Sequence, residues 1–541
     1  MILRPCLALL KNLLTRGVLP TAVIIAALLP AALAQSSSLG RIAFPTSGSV
    51  EAQEHFLKGA LLLHSFEFDD ARESFQLAHG IDPDFALAYW GEAMTHNKLL
   101  WELEDQKAGQ AALEKLASTA KARLAKAPTE REKGYLRTTE AYFFGKGDQK
   151  TRAQGYADAM GQLARRFPGD LEAASFYAVA ILGTSSAGRD FRIYMRAASI
   201  VEEVFAKNPL HPGAAHYLIH SYDDPVHAPL GLRAARVYAK IAPAAAHALH
   251  MPSHIFVALG MWNETASSNE DSWAAADARV KRKGLTIADR GYHALWWLHY
   301  AYLQQGRYQE AEELLQTMEK DVERLSVPIT RRHLAAMRAA HIVETRQWKT
   351  AARAADLDLS GVRGDQAVAH WFASGMAAAE QGDLQAARQA LAALQREAGK
   401  KTKPYPSQRQ AGKATELQLR SLIAFAGGNT QIALELIKQA AAEEDRMPGY
   451  YGPPSPVKSS HELFGEMLLE LDQPSEARRE FKRALAGAPR RALSLLGLAR
   501  AAAKAGDAAA ARDAYLELQS VWSQADRNLP ELKEVTAGTS D

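Results

Sequence analysis

EAQEHFLKGALLLHSFEFDDARESFQLAHGIDPDF, residues 51 to 85, sets the pattern for most of the chain. Apolar and small residues recur every three to four positions on either side of a short polar turn, as two amphipathic helices require. Phe68, Ala71, Phe75 and Ala78 follow the turn, and Pro83 closes the unit. The same order, a turn residue, an aromatic or small substitute, and Ala three or four residues on, returns at GMWNETA (260–266), GRYQEA (306–311), RQWKTA (346–351), GDLQAA (382–387), GNTQIA (428–433), DQPSEA (472–477) and GDAAAA (506–511). Gly at the turn ends the first helix in a backbone conformation that other residues resist. The aromatic then fills the angle between two helices, and Ala lets them approach closely. β-Branched runs are few and no Asn-Gly or Asp-Gly hairpin stands between alternating strands, so the expected fold is all-α.

These spacings resemble those of tetratricopeptide repeat proteins, strongly from about 51 to 97 and about 212 to 522, more weakly between 102 and 205. Within the weaker stretch Thr129 and Glu132 still form a capping-box signal. The resemblance implies an α-solenoid in which the first helix of each pair lines a concave groove, with no single deep core. The organisation expected is a signal peptide at 1–34, an N-terminal extension at 35–50, repeats at 51–101, a divergent helical segment at 102–205, His-rich repeats at 206–310, further repeats at 311–525 and a tail at 526–541. KKTKPYPSQ, 400–408, reads as a loop-like insertion.

The first 34 residues carry Arg4, Lys11 and Arg16, an apolar run from Val18 to Leu29, and Ala32-Leu33-Ala34 before Gln35. That is the pattern of a secretory signal cleaved after Ala34, which places the mature chain in the periplasm or outside the cell. No later segment is expected to span a membrane. Removing residues 1–34 leaves 61 basic against 61 acidic residues, a balance that argues against nucleic acid as partner. The only cysteine, Cys6, leaves with the signal, so disulfides, thiol catalysis and iron–sulfur ligation are excluded from the mature chain.

Nine of the 17 histidines fall between 211 and 299. HPGAAHYLIHSYDDP (211–225) holds His216 and His220, and HALHMPSHIFVALG (247–260) holds His247, His250 and His254. Residues three, four and seven apart share one helix face, and the two sets stand one 34-residue unit apart. The family resemblance implies that groove-facing residues lie about thirteen, ten and six positions before the turn glycine, which relative to Gly260 are His247, His250 and His254. His293 holds the first of these places before Gly306. Four or five imidazoles are therefore expected to converge on one site.

Three readings of that cluster stand. Two i, i+4 histidine pairs on adjacent helices suit a divalent ion such as zinc, copper or nickel, with Asp223 and Asp224 as outer carboxylates or a ligand. Alternatively the groove takes a protein, peptide or small ligand, with the imidazoles as donors and Tyr217, Tyr222, Phe256, Trp296 and Trp297 as shape. The third reading is packing alone. Glu462 and Glu466 occupy the corresponding groove positions before Asp472 and are further candidates, although an acidic i, i+4 pair is more commonly a solvated face. The strings around the histidines also resemble those of a group of bacterial exported tetratricopeptide repeat proteins, a likeness that bears on fold and export and supplies no reaction. No phosphate loop, nucleophile elbow or dinucleotide fingerprint is present. The function expected is a binding scaffold whose histidines hold a divalent metal. A metal-dependent hydrolase or oxidoreductase built on the same histidines, with Asp223 or Glu462 as base, is the alternative.

Overall fold

A computed structural model describes residues 38–185, 188–349, 357–362, 364–400, 406–447 and 452–540. The signal peptide expected at 1–34 and most of the 400–408 insertion lie outside the described residues. Helices succeed one another throughout, and the one sheet among the described residues is a two-residue hairpin pairing Asn97–Lys98 with Leu103–Glu104. Helix pairs continue between 102 and 205, with the Glu130–Phe143 helix opened by the Thr129–Glu132 capping box. No helix among the described residues is long and apolar enough to cross a membrane.

The turns explain the repeat. Phe66, Gly260, Gly306, Arg346, Gly382, Gly428, Asp472 and Gly506 all adopt left-handed backbone, with φ between 55° and 78°. At seven of the eight, the following N–H donates back to the carbonyl five residues earlier, as Met261 does to Phe256 (2.8 Å), Asp383 to Ala378 (2.9 Å) and Gln473 to Leu468 (2.8 Å). That bond satisfies a carbonyl the helix end would otherwise orphan, and it turns the chain into the second helix.

Between helices the packing unit is one aromatic against two glycines. The Phe75 ring lies where a Cβ on Gly59 would come within 2.8 Å and a Cβ on Gly91 within 2.4 Å. Phe481 sits in the same way between Gly465 (2.9 Å) and Gly497 (2.2 Å). Each ring therefore bridges the first helix of its own repeat and the first helix of the next. Gly91→Val is expected to lower stability by about 1–3 kcal/mol through overpacking. An unchanged urea midpoint in that variant would show the contact to be slack.

The coil closes on itself instead of remaining an open trough. The first repeat folds against residues 212–283: Tyr238 bonds Ser65 (3.2 Å), the His247 N–H donates to Glu67 (2.9 Å), and Arg279 and Lys283 both pair with Asp70 at 2.6 Å. From the other end, Trp262 donates to the Arg490 carbonyl (2.9 Å), Trp522 to the Gln304 carbonyl (3.1 Å), and the Ala492 N–H to Gln304 (3.0 Å). Two large apolar clusters result, one running from Leu39 to Ala258 and one from Val257 to Val535. They meet at the helix that carries His254.

Candidate metal centre

His211 and Pro212 start the first histidine helix, Pro212–Tyr222: the His211 Nδ1 accepts from the Ala214 N–H (3.1 Å), and proline at the first turn loses no helical bond. His216 and His220 then share one face. The second histidine segment is not one helix. Pro252 has no N–H to donate to Ala248, and the chain forms Ala246–His250 followed by Pro252–Ala258. Both segments lie beside the Pro212–Tyr222 helix, and His293 is supplied by the Tyr292–Gln304 helix of the next repeat.

The imidazoles separate into two adjoining sets. In each, one ligand atom per residue lies within 4.8 Å of the others: His216, His220 and His247 in one, His250, His254 and His293 in the other. Ring centroids within the sets are 4.7 to 6.4 Å apart. Between the sets His220 stands 6.0 Å from His254, and His247 stands 6.2 Å from His250. The six rings thus form one continuous cluster divided into threes, where four or five imidazoles on one site were expected.

Outer partners fix which nitrogen faces inward. His216 Nδ1 donates to the His64 carbonyl (2.7 Å), His254 Nδ1 to the Asp223 carboxylate (2.6 Å), and His250 Nδ1 to the Asn269 side-chain oxygen (2.6 Å). The Asn269 amide is itself oriented, because its NH₂ donates to the Thr265 carbonyl (2.7 Å). With Nδ1 as the donor, the neutral forms of His216 and His250 turn an unprotonated Nε2 inward. His250 Nε2 and His254 Nε2 lie 3.1 Å apart, as do His216 Nε2 and His247 Nε2. At that distance one ring donates to the other if either nitrogen carries a proton, and if neither does the two lone pairs repel unless a cation lies between them. Metal–nitrogen bonds of ~2.0–2.1 Å would span such a gap at an angle of ~100°.

The left-handed turn residue Phe66 closes the first set. Its ring packs 4.4 Å from His216, 5.8 Å from His220 and 5.6 Å from His247, with Trp101 beyond it. Left-handed backbone costs a non-glycine residue roughly 1–2 kcal/mol, and here it carries an aromatic wall for the site. Trp297 forms the wall of the second set, 4.3 Å from His254 and 4.9 Å from His250. His216, His250 and His254 are buried, His220 and His247 half-buried, and His293 meets solvent, so the cluster is open on the His293 side.

A third group, His64, Glu172 and His211, is wholly buried and tied together by its own contacts. Glu172 accepts from His64 Nε2 (2.7 Å) and lies 3.2 Å from His211 Nε2, while the remaining His64 nitrogen bonds the Tyr217 hydroxyl at 3.0 Å. Those two imidazoles, despite the cost of burial, hold the Glu172 carboxyl down to about 2. The group is a hydrogen-bonded brace, and the His64 carbonyl it fixes is the acceptor that orients His216.

Burial sets the protonation of the cluster. It lowers His250 to about 3, aided by the neighbouring His254 and opposed by Asn269. It also lowers His216 well below the ordinary imidazole range, with His220 contributing in the same direction. The unfolded chain takes up protons near pH 6.5, whereas these folded rings do not. Stability of the metal-free protein is therefore complete above pH 6.5 and is lost as pH falls toward 3. Each such group contributes about 1.4 kcal/mol per pH unit in that window. The urea midpoint of metal-free protein is expected to drop between pH 7 and pH 5; a flat profile would mean that the rings already carry protons when folded.

The other sequence candidates divide. Asp223 is buried and holds His254, and its second oxygen, Oδ1, has no hydrogen-bond partner. Trp296 lies beside His293, with ring centroids 6.0 Å apart. Tyr217 does not face a groove; it is fully buried and serves His64. Glu462 is likewise no groove carboxylate or base. It is buried at 0% exposure between Lys458 (2.8 Å) and Arg491 (2.7 Å), and Glu466 pairs with Lys458 at 3.0 Å. Asn269, Phe66, Glu172 and His64 were not expected as parts of the site. The 34-residue offset points to the histidine helices, but contacts made by ring closure leave no local signal.

The tetratricopeptide repeat family model matches residues 463–528. That segment carries tetratricopeptide repeat sequence. Solved structures similar to this chain include a tetratricopeptide repeat protein from Parabacteroides merdae, 14% identical over 55% of this chain and 99% of that one, with a TM-score of 0.31. Human IFIT1, as a dimer with PPP-AAAA, is 13% identical over 90% and 99% of the two chains, with a TM-score of 0.37. Yeast Tom70 is 12% identical over 90% and 95%, with a TM-score of 0.29. No curated protein matches the chain by sequence.

Proposed function

We propose that this is an exported tetratricopeptide repeat metalloprotein, in which the repeats act as a frame that brings six imidazoles together to bind metal of the zinc, copper or nickel class. The observation that carries the reading is the pair His250 and His254, with both Nδ1 protons committed to outside acceptors and both Nε2 atoms 3.1 Å apart. Imidazole nitrogens suit these metals, and oriented outer partners are how proteins fix such ligands. A hydrolytic reading is less well supported, because Glu462 is neutralised by Lys458 and Arg491 and Asp223 is held by His254. Solvent reaches the cluster at His293, which is where a small ligand or a partner's side chain would enter.

Elemental analysis of the purified mature chain, loaded and then passed through a desalting column, tests this reading. About two ions per chain are expected. Asp223→Ala should weaken the ion of the second set by about 10- to 100-fold, because His254 loses the acceptor that orients and polarises it. Protein that retains no metal after loading with zinc, copper or nickel would overturn the reading. Cell fractionation locating the chain in the cytoplasm would overturn export alone.

A further inference from the structure

We propose that the two histidine sets act together as one dinuclear copper centre that binds dioxygen. This rests on the metal-binding reading above and deepens it, naming the metal and the small molecule that reaches it.

Three observations support the step from two sites to one. The first is distance: the rings that face each other across the divide, His220 with His254 and His247 with His250, stand 6.0 and 6.2 Å apart, inside the 6.4 Å that separates His254 from His293 within a set. The second is equivalence. Each set joins an i, i+4 pair, His216 with His220 on one helix and His250 with His254 across the Pro252 break, to one histidine from another segment, His247 or His293. Two ions held alike and side by side are arranged to share one small ligand.

The third is charge. All six ligands are imidazoles, and no carboxylate belongs to either set. Two divalent ions would place four positive charges in a partly buried pocket whose nearby carboxylates, Asp223 on His254 and Glu67 on the His247 N–H, lie outside both ligand sets, a heavy desolvation cost. Two copper(I) ions bring only two. Copper is also the first-row metal that nitrogen ligands bind most tightly in its divalent state. When dioxygen enters, each copper(I) gives up one electron, the O–O unit gains both and is held as peroxide between two copper(II) ions, and the total charge of the centre is unchanged. No proton moves and no bond to the protein breaks; release of dioxygen returns the electrons. Manganese, magnesium and calcium favour oxygen ligands, and non-haem iron sites typically include a carboxylate, so this donor set fits them poorly.

The surroundings suit a gas. Phe66 and Trp297 wall the two sets, and the opening lies beside the solvent-exposed residue His293. A small uncharged molecule can pass such walls, whereas a charged substrate would have to shed water.

The test uses the intact mature chain loaded anaerobically with copper(I), followed by exposure to air. Expected are two coppers per chain, uptake of one dioxygen per pair, a strong near-ultraviolet band absent before exposure, and little electron paramagnetic resonance signal because the two copper(II) spins cancel. The variant His293→Ala, at the exposed edge where folding is least at risk, should lose the band and the spin cancellation. Two coppers whose spins integrate to two per chain, or copper that takes up no dioxygen, would overturn the coupled centre and leave the metal-binding reading intact. Retention of zinc but not copper would do the same. A chain that binds no metal would overturn both.

Discussion

Replacing His250 and His254 together with alanine is expected to remove one of the two metal ions proposed per chain and to leave the other in place. The two residues supply two of the three nitrogens of their set, and the third, His293, stands at the solvent-exposed edge. A single exposed imidazole has no chelate geometry, so the loss should exceed the roughly 10- to 100-fold that removal of an outer partner causes. The first set is oriented separately, through the His64 carbonyl on His216 and the Phe66 ring over all three of its members. It should keep its ion. Both side chains are buried against Trp297, so the variant also opens a cavity, and its helical content and melting temperature need checking in the same preparation. Metal content falling from about two to about one, in protein that retains its circular dichroism, is the expected result. Unchanged content would remove this set from the site, and loss of both ions from folded protein would show that the sets cannot be filled separately.

The fold was legible in the sequence because its governing constraint is local. A left-handed turn every few dozen residues calls for glycine, and five of the eight turn positions are glycine; at Phe66, Arg346 and Asp472 the surrounding helix pattern identified the turn without it. The histidine helices were legible for the same reason, since i, i+4 spacing and a 34-residue offset are properties of the repeat. Two features were not, and a third was displayed but misread. Pro252 interrupts what the periodicity reads as one helix, and His247 joins a different set from His250 and His254. Closure of the coil brings His64 and Phe66 onto His216 from some 150 residues away, a contact with no counterpart in the spacing. And Glu462, read by position as a groove carboxylate, is matched by Lys458 four residues earlier, a pairing the string VKSSHE does display and that points inward to an ion pair.

That ion pair belongs to the hub on which the C-terminal closure depends, and Arg491→Met should destabilise the protein by about 3–5 kcal/mol. Arg491 is 1% exposed. Its guanidinium holds Glu462 at 2.7 Å, Glu344 at 2.6 Å and the Tyr300 hydroxyl at 2.7 Å, joining three repeats at one point. Burial drives the Glu344 carboxyl upward and Arg491 opposes that, while Arg491 and Lys458 hold Glu462 well below the usual carboxylate range. Methionine fills similar volume but leaves Glu344 and Glu462 with Lys458 as the remaining buried cation, so one negative charge is uncompensated. Arg491→Lys keeps the charge and loses the fork that reaches both carboxylates, so an intermediate loss is expected. The decisive comparison is Arg491→Met against Arg491→Met with Glu344→Gln. If charge imbalance is the cause, the double variant recovers part of the lost stability in urea denaturation. If lost packing is the cause, the second substitution leaves it where it was or makes it worse.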